Sequence, residues 1–251
     1  MFGLFSFKRK PRIEIFVRHC HYSAASAHKE RFATFNKEKC FRNLLNTITD
    51  RVNITFFLDT HYPSEQKHFI SEQAQYPIVE IKAGNEASSF LAMLDYVAAK
   101  KLKPDTIVYF LEDDYIHKQG WVDVLVEGLE IPGVDYATLF DHRDKYFFPS
   151  YADLKSKIFH TKSCHWRTTP STTNTYAMRF ETLIKHLPVH KAFSEGRKIT
   201  ADHDKFCKLG EMGAVLVSSI PGFSTHVEPE FASPCADWEE VLAHSLKDFK
   251  K

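Results

Sequence analysis

The chain has 251 residues and a nearly balanced charge, with 33 Lys and Arg against 32 Asp and Glu. This balance argues against nucleic acid as the main partner, because nucleic-acid-binding domains carry a basic face. Hydrophobic residues make up 43% of the chain, which excludes disordered and collagen-like classes. No apolar run approaches the roughly 20 residues that a membrane-spanning helix needs, so the sequence does not predict an integral membrane protein.

The five cysteines are widely scattered along the chain. No pair has the C-x-x-C spacing of a zinc ribbon, and the odd number argues against a secreted disulfide framework. These features favour a reducing, cytoplasmic compartment.

The first residues combine aromatic and basic side chains. Phe2, Leu4, Phe5 and Phe7 precede a basic run at 8–12, the reverse of the order in a secretory signal. One interpretation is a peripheral membrane contact, in which the apolar side chains enter the headgroup layer and the cations meet anionic lipid. The alternative is a frayed terminus whose aromatic side chains pack on the body of the protein.

Strand-like runs alternate with helical spacing over the first 130 residues. The run 106–111 is continuously apolar, which is typical of a central parallel strand covered on both faces. The alternation predicts an α/β fold, built as one domain with a mostly parallel central sheet flanked by helices. The predicted strands of this part are 12–17, 53–58, 78–81 and 106–111. The predicted helices begin near Asn36, at Asn85 or Ser88, and near Trp121.

The second half of the chain is less regular. Its polar and aromatic stretch 141–175 is interpreted as loops and short strands around a cleft. Asp237 and Glu240 have the spacing of a capping box, which predicts the start of a last helix. The remaining predicted elements are strands at 135–140 and 214–219 and helices near 181–187 and 204–209.

Three consecutive acids, Glu112-Asp113-Asp114, come directly after the apolar strand that ends at Leu111. Ligands of open α/β sheets bind at the carboxyl ends of the strands, so these acids lie at the expected functional edge. A divalent cation would relieve the repulsion between the carboxylates, and oxygen ligands favour Mn2+ or Mg2+ over Zn2+. Such a metal would also attract an anionic group such as a diphosphate. The alternative is a solvated acidic turn.

Two further positions carry groups that suit this chemistry. His226 follows a predicted strand near the C-terminus, and its neutral imidazole would complete a carboxylate–metal sphere. Asp202 and Asp204 lie at the start of a predicted helix. A carboxylate at the rim of a cleft would serve as a general base, although Asp204 is also favourable there simply through the helix dipole.

The order of these features resembles the metal-dependent glycosyltransferases of the GT-A fold, in the manner of their inverting family 2. The hallmark of these enzymes is an acidic DXD variant after a central strand, which Glu112-Asp113-Asp114 matches with Glu in the first place. The resemblance implies that Asp114 is the direct metal ligand and His226 a further one. It also implies that Glu112 and Asp113 position the ribose and a water on the metal.

The same resemblance implies how the chain is divided. It covers roughly residues 13–230. The expected parts are a tail at 1–12, a nucleotide-binding half at 13–130, an acceptor half at 131–235 and a C-terminal helix at 236–251. Arg18, just past the first strand, would suit the diphosphate or the base edge, with a plain surface arginine as the alternative.

The resemblance also implies a base reader and a catalytic base. Asp59, after the second strand, would read the nucleotide base. Inverting members carry their catalytic base at a helix start, before a Gly that introduces the next strand. Asp202 lies eleven residues before Gly213 and takes this role, with Asp204 in reserve. Ala201 replaces the Glu that usually precedes the base.

The stretch 141–175 contains groups suited to a carbohydrate acceptor, because sugar faces stack on aromatic rings and sugar hydroxyls bind planar polar side chains. We expect His165, Trp166 and Arg167 to bind the acceptor. For the aromatic residues 146–148 a place in the core is the alternative to an acceptor contact.

Together these features predict an enzyme that transfers a sugar from a nucleoside diphosphate sugar to an acceptor hydroxyl, on a glycan and with inversion. UDP is the favoured nucleotide because an Asp after the second strand suits a uracil edge. A sugar-phosphate nucleotidyltransferase is one alternative, but such enzymes usually open with a Gly-rich loop after the first strand, and residues 18–28 contain no Gly. A non-catalytic nucleotide-sugar-binding module is the other.

Overall fold

The computed structural model describes residues 11–62 and 64–247. Residues 1–10, on which the predicted membrane contact depends, lie outside the described residues. Among the helices of the described part, none has the length and apolar character needed to cross a membrane.

The first part of the chain alternates strands and helices, as the sequence predicts. Asn36 caps one helix through its side chain, and Asn85, rather than Ser88, caps the next. In chain order the elements are β1 (Ile13–Cys20), α1 (Lys37–Thr47), β2 (Val52–Asp59), β3 (Ile78–Ile81), α2 (Glu86–Ala99), β4 (Ile107–Glu112), β5 (Tyr115–His117) and α3 (Trp121–Glu130).

Up to residue 247, the second part adds short strands and four α-helices, besides two short 3-10 helices. The amide of Glu240 donates to Oδ1 of Asp237 at 3.0 Å, which confirms Asp237 as the cap of the last helix. In chain order the elements are β6 (Tyr136–Thr138), α4 (Asp144–Phe147), β7 (Ile158–His160), β8 (His165–Thr168), β9 (Tyr176–Arg179), α5 (Phe180–Ala192), α6 (Asp202–Glu211), β10 (Leu216–Ile220), β11 (Ser224–His226) and α7 (Trp238–Lys247).

One mixed sheet runs through the described molecule in the order β3-β2-β1-β4-β9-β6-β10-β8-β7. The pairing directions make β8 and β9 run opposite to the other strands. The predicted α/β fold, one domain with a mostly parallel sheet flanked by helices, is therefore confirmed. The sequence did not predict β9, which lies at the centre of the sheet between β4 and β6.

The core lies on both faces of this sheet. In β4, Tyr109 and Leu111 pack on one face with α1 and α3, and Val108 and Phe110 pack on the other with α2. All four are at most 2% exposed. This two-sided burial is the reason why the strand is apolar at every position instead of at alternate ones.

The parallel strands bring their carboxyl ends to one edge of the sheet. The register between β1 and β4 sets Arg18 beside Glu112, and the register between β1 and β2 sets Cys20 beside Asp59. A separate two-stranded sheet, β5 with β11, begins after the two-residue turn that follows β4. This pairing places His226, from the C-terminal part of the chain, near the same edge of the main sheet.

Candidate active site

The three acids at the end of β4 are each paired with a cation. Glu112 is the last residue of β4, and Asp113 and Asp114 form the turn into β5. The side chains of the two aspartates are only 11% and 12% exposed, so the cluster is not a solvated acidic turn. Its ion pairs are Arg18–Glu112 at 2.9 Å, Lys37–Asp113 at 2.7 Å and Arg31–Asp114 at 3.1 Å.

His226 lies against the last acid of the cluster. Its Nε2 is 3.0 Å from Oδ2 of Asp114. The pairing of β5 with β11 sets His226 opposite Tyr115, whose ring packs edge-on against the imidazole at 5.3 Å. The backbone N–H of Val227 also donates to the carbonyl of Asp114 at 3.2 Å. Backbone pairing and ring packing therefore fix the imidazole beside the carboxylate.

The three carboxyl groups differ in their affinity for a proton. Burial would raise the pKa of Asp114, but His226 and Arg31 lower it well below its ordinary value. Burial raises the pKa of Glu112 to about 8, against the opposing effect of Arg18. Burial likewise raises the pKa of Asp113, against the effect of Lys37. The neighbouring groups therefore outweigh the effect of burial on the pKa at Asp114 but not at the other two acids.

The donors at Asp114 suit a divalent cation in their chemistry. A carboxylate oxygen and an imidazole nitrogen converge within 3.0 Å of each other, and a further carboxylate, Glu228, lies 3.5 Å from the other ring nitrogen of His226. Oxygen and imidazole donors together fit Mn2+ better than Mg2+, which prefers oxygen alone. Within the described ranges, no group of three or more His, Cys, Asp or Glu side chains is arranged to hold a metal. Because Arg31 already binds Oδ2 of Asp114 at 3.1 Å, a cation here would compete with its guanidinium.

The side chain of Arg18 is buried and forms ion pairs within the protein. Its side chain is 7% exposed, and its guanidinium binds Glu86 and Glu112, each at 2.9 Å. It also donates to the hydroxyl of Ser89 at 3.0 Å and lies over the ring of Phe90. Arg18 therefore orients Glu112 and Glu86 and is not a surface arginine. The predicted contact with a diphosphate or a base edge stays a prediction.

Asp59 organises two loops at the edge of the sheet. Its carboxylate accepts hydrogen bonds from the backbone N–H groups of His61 at 3.0 Å, Ala83 at 3.1 Å and Gly84 at 2.8 Å. These bonds join the loop after β2 to the loop that leads into α2. Asp59 is 8% exposed, and its predicted role as reader of a nucleotide base is untested.

A cavity of about 390 Å³ lies beside the acidic cluster. Tyr115 packs against His226, and its hydroxyl forms a 2.8 Å hydrogen bond with the hydroxyl of Thr173 on the cavity wall. The ring of His142, which also lines the cavity, packs against that of Phe140 at a tilt of 52°, with the ring centroids 4.7 Å apart. The lining residues are His142, Asp144, Lys145, Phe148, Ser150, Tyr151, Ser171, Thr172, Thr173, Asp202 and His203.

Asp202 lines this cavity and Asp204 does not. Asp202 begins α6, with its side chain 27% exposed, and it accepts a hydrogen bond at 3.0 Å from the buried Lys205. Its partial burial raises the pKa of the Asp202 carboxyl to about 6, against the effect of Lys205. Asp204 is exposed on the outer side of the same helix. The structure therefore favours Asp202 over Asp204 as a proton acceptor for a molecule in the cavity.

The three predicted acceptor residues of β8 lie in different surroundings. Trp166 is completely buried against Gly128, so no face of its indole is open to a sugar and its role is packing. Arg167 is 7% exposed and binds the buried Asp141 at 2.8 Å. His165 is exposed. None of the three lines the cavity.

The aromatic residues before β7 are exposed instead. Tyr146, Phe147 and Phe148 have exposed fractions of 56%, 46% and 39%, which rules out the alternative of a core position. Phe148 lines the cavity together with Tyr151. The aromatic groups available to an acceptor therefore come from 146–151 and not from β8.

Four charged residues of the site were not predicted. Glu86 is the first residue of α2, and its carboxylate binds Arg18, Asn174 and the backbone N–H of Thr200. Lys205 follows Asp202 by three residues, a spacing that places both on one helix face and is the one signal available in the sequence. The other two, Arg31 and Lys37, come from the loop after β1 and from α1.

Comparison with known proteins gives no family for this chain. No protein-family model matches it, and none of the curated proteins matches it.

Proposed function

We propose that the chain is a metal-dependent glycosyltransferase that moves a sugar from a nucleoside diphosphate sugar to an acceptor hydroxyl. The observation that carries the proposal is the contact of His226 with Asp114, Nε2 to Oδ2 at 3.0 Å, between residues 112 positions apart in the sequence. Ligand-binding residues of α/β sheets gather at the carboxyl ends of the strands. The contact lies at that edge and beside a cavity that contains a carboxylate.

Asp114 and His226 would hold Mn2+ or Mg2+. When bound, the cation would act as a Lewis acid toward the diphosphate that leaves the sugar. Glu112 and Asp113 retain carboxyl groups whose pKa burial has raised, and these are suited to orient the ribose hydroxyls and water. Arg18 keeps Glu112 in place through their 2.9 Å ion pair.

Asp202 would act as the general base. Its carboxyl lines the cavity, and a pKa of about 6 leaves it ionised at neutral pH while keeping it basic enough to take up a proton. It would remove the proton of the acceptor hydroxyl while that oxygen attacks the sugar from the face opposite the diphosphate. This geometry gives inversion.

The acceptor would be a carbohydrate, and the favoured donor nucleotide is UDP. Ser, Thr and His side chains of the cavity wall offer hydrogen bonds to hydroxyl groups, and Phe148 and Tyr151 offer faces for a sugar ring. We place the reaction in glycan biosynthesis in the cytoplasm, with the first residues as a peripheral membrane contact. The five cysteines, which are all free thiols, agree with a reducing compartment.

The test is a donor-hydrolysis screen of nucleotide sugars with and without Mn2+. We expect slow release of the nucleoside diphosphate from one donor, dependent on the metal and abolished in Asp114→Asn. NMR of the product with its acceptor then reports the anomeric configuration, which we expect to be inverted. Release without metal, or an Asp114→Asn variant as active as the parent, would exclude this function.

A further inference from the structure

A fully buried lysine holds the candidate base. The side chain of Lys205 is 0% exposed, and its Nζ donates to Oδ1 of Asp202 at 3.0 Å. The same Nζ donates to Oδ1 of Asn174. The ammonium also lies over three aromatic rings, those of Phe90 at 4.8 Å, Tyr176 at 5.1 Å and Phe206 at 5.2 Å.

This ammonium needs a directly bonded anion. A buried charge is costly unless it is paired and hydrogen-bonded, and aromatic faces compensate it only in part. Of the two groups that accept its hydrogen bonds, Asn174 is neutral and Asp202 can be ionised. Lys205 therefore favours the ionised form of Asp202.

Asn174 is itself oriented from the opposite side. Its Nδ2 donates to Oε1 of Glu86 at 2.8 Å, which turns its Oδ1 toward Lys205. Glu86 is fixed in turn by Arg18 at 2.9 Å and by the backbone N–H of Thr200 at 2.7 Å. Because Arg18 also binds Glu112, a continuous series of polar contacts links the candidate base to the acidic cluster.

We propose that Lys205 is a positioning residue for Asp202. It holds Oδ1 of the carboxylate in a 3.0 Å hydrogen bond, which leaves Oδ2 as the oxygen that accepts the proton of the acceptor. This inference rests on the proposed function, because Asp202 acts as a base only in that reaction.

Several other charged or titratable groups lie around Asp202, and they also influence its pKa. Glu86 opposes ionisation of the carboxyl and Arg18 favours it. Removal of the ammonium leaves these groups in place, so the pKa of Asp202 rises. The groups around it are His203 on α6, Glu86 on α2, Arg18 on β1, Glu112 on β4, Tyr176 on β9 and, across the cavity, His142, Asp144 and Lys145.

The experiment is a 13C NMR titration of the Asp carboxyl carbons in the parent and in Lys205→Met. The signal that is lost in Asp202→Asn identifies Asp202. We expect its titration midpoint to rise by about one pH unit or more in Lys205→Met, since an opposite charge at hydrogen-bond distance lowers a carboxyl pKa by about one to three units. The pH profile of kcat shifts in the same direction, whereas KM for the donor changes little.

Lys208→Met is the matched control, because Lys208 lies one turn further on α6, exposed and paired with Glu211 at 2.9 Å. An Asp202 midpoint that is the same in both lysine variants overturns the proposal. If Lys205→Met does not fold, the 15Nζ signal of Lys205 is compared between the parent and Asp202→Asn, and an unchanged signal overturns it as well. A shifted midpoint in a protein that hydrolyses no donor supports the Lys205–Asp202 coupling and refutes the proposed function alone.

Discussion

The imidazole of His226 and the carboxylate of Asp114 meet at 3.0 Å, where β11 pairs with β5 just beyond the end of β4. The same Oδ2 of Asp114 also binds Arg31 at 3.1 Å. One carboxylate oxygen is therefore shared by an imidazole nitrogen and a guanidinium. This arrangement makes Asp114 the residue on which the proposed metal site depends most.

Asp114→Asn is expected to weaken Mn2+-dependent binding of a nucleoside diphosphate by at least about tenfold, because an amide is a poorer ligand for a hard cation than a carboxylate. Isothermal titration calorimetry with UDP and GDP, with and without Mn2+, measures the effect. Asp105→Asn is the control, since Asp105 is exposed just before the opposite end of β4. Equal affinities of the two variants in the presence of Mn2+ would contradict the assignment.

Asp202→Asn and Asp204→Asn distinguish the two candidate bases. Asp202 lines the cavity and Asp204 is exposed outside it. We expect Asp202→Asn to lower kcat by about 10²–10⁴-fold, the usual contribution of a general base, and Asp204→Asn to change it by less than about threefold. Steady-state assays with the donor found in the hydrolysis screen measure both. The reverse order of effects would assign the base to Asp204.

The raised pKa of Asp202 predicts the pH profile of the transfer reaction. A carboxyl group with a pKa of about 6 is protonated below that pH and cannot accept a proton. Activity should therefore rise with pH through about 6 and reach a plateau above it. Measurement of kcat/KM between pH 4.5 and 8.5 tests this, because kcat/KM reports the groups of the free enzyme, and a profile already flat from pH 4.5 upward would exclude Asp202 as the titrating base.

The sequence predicts the parts of this molecule that depend on local pattern. The continuous burial of β4 leaves an apolar run in the chain, and the acids after it mark the carboxyl edge of the sheet. Strand β9 leaves no comparable signal, because its four residues Tyr176–Arg179 follow a polar stretch and lead directly into α5. Its central place is set by pairing with β4 and β6.

The cations of the site depend on tertiary contacts and could not be predicted. Arg31 and Lys37 reach the acidic cluster from segments 83 and 76 residues away in the chain, and no spacing rule connects them to it. For Trp166 the sequence predicted a functional role that the structure does not support. An aromatic residue among polar neighbours suggested an exposed ring that binds a sugar. Its side chain is instead buried in the core, where the absence of a side chain at Gly128 leaves space for the indole.

Arg31→Gln tests whether the guanidinium competes with a metal for Asp114. The ion pair between Arg31 and Asp114 is largely buried, with side chains 14% and 12% exposed. In Arg31→Gln, a cation can therefore bind Asp114 without first displacing the guanidinium. We expect the affinity for Mn2+ alone to rise by about tenfold, which corresponds to about 1.4 kcal/mol. The EPR signal of free Mn2+ measures it without turnover. Arg42→Gln, which removes an exposed ion pair with Glu38 on α1, is the control, and equal Mn2+ affinities would contradict competition.

Gly128→Ala tests the packing that buries Trp166. A Cβ at Gly128 would lie 2.5 Å from the indole, which forces the ring or α3 to shift and costs about 1–3 kcal/mol of the free energy of unfolding. Gly210→Ala is the matched variant, because Gly210 is also helical but has nothing within 4 Å of the added Cβ. We expect it to stabilise the protein by about 0.5–1 kcal/mol. Urea denaturation followed by tryptophan fluorescence measures both, and an equal effect of the two substitutions would show that Trp166 does not need the space at Gly128.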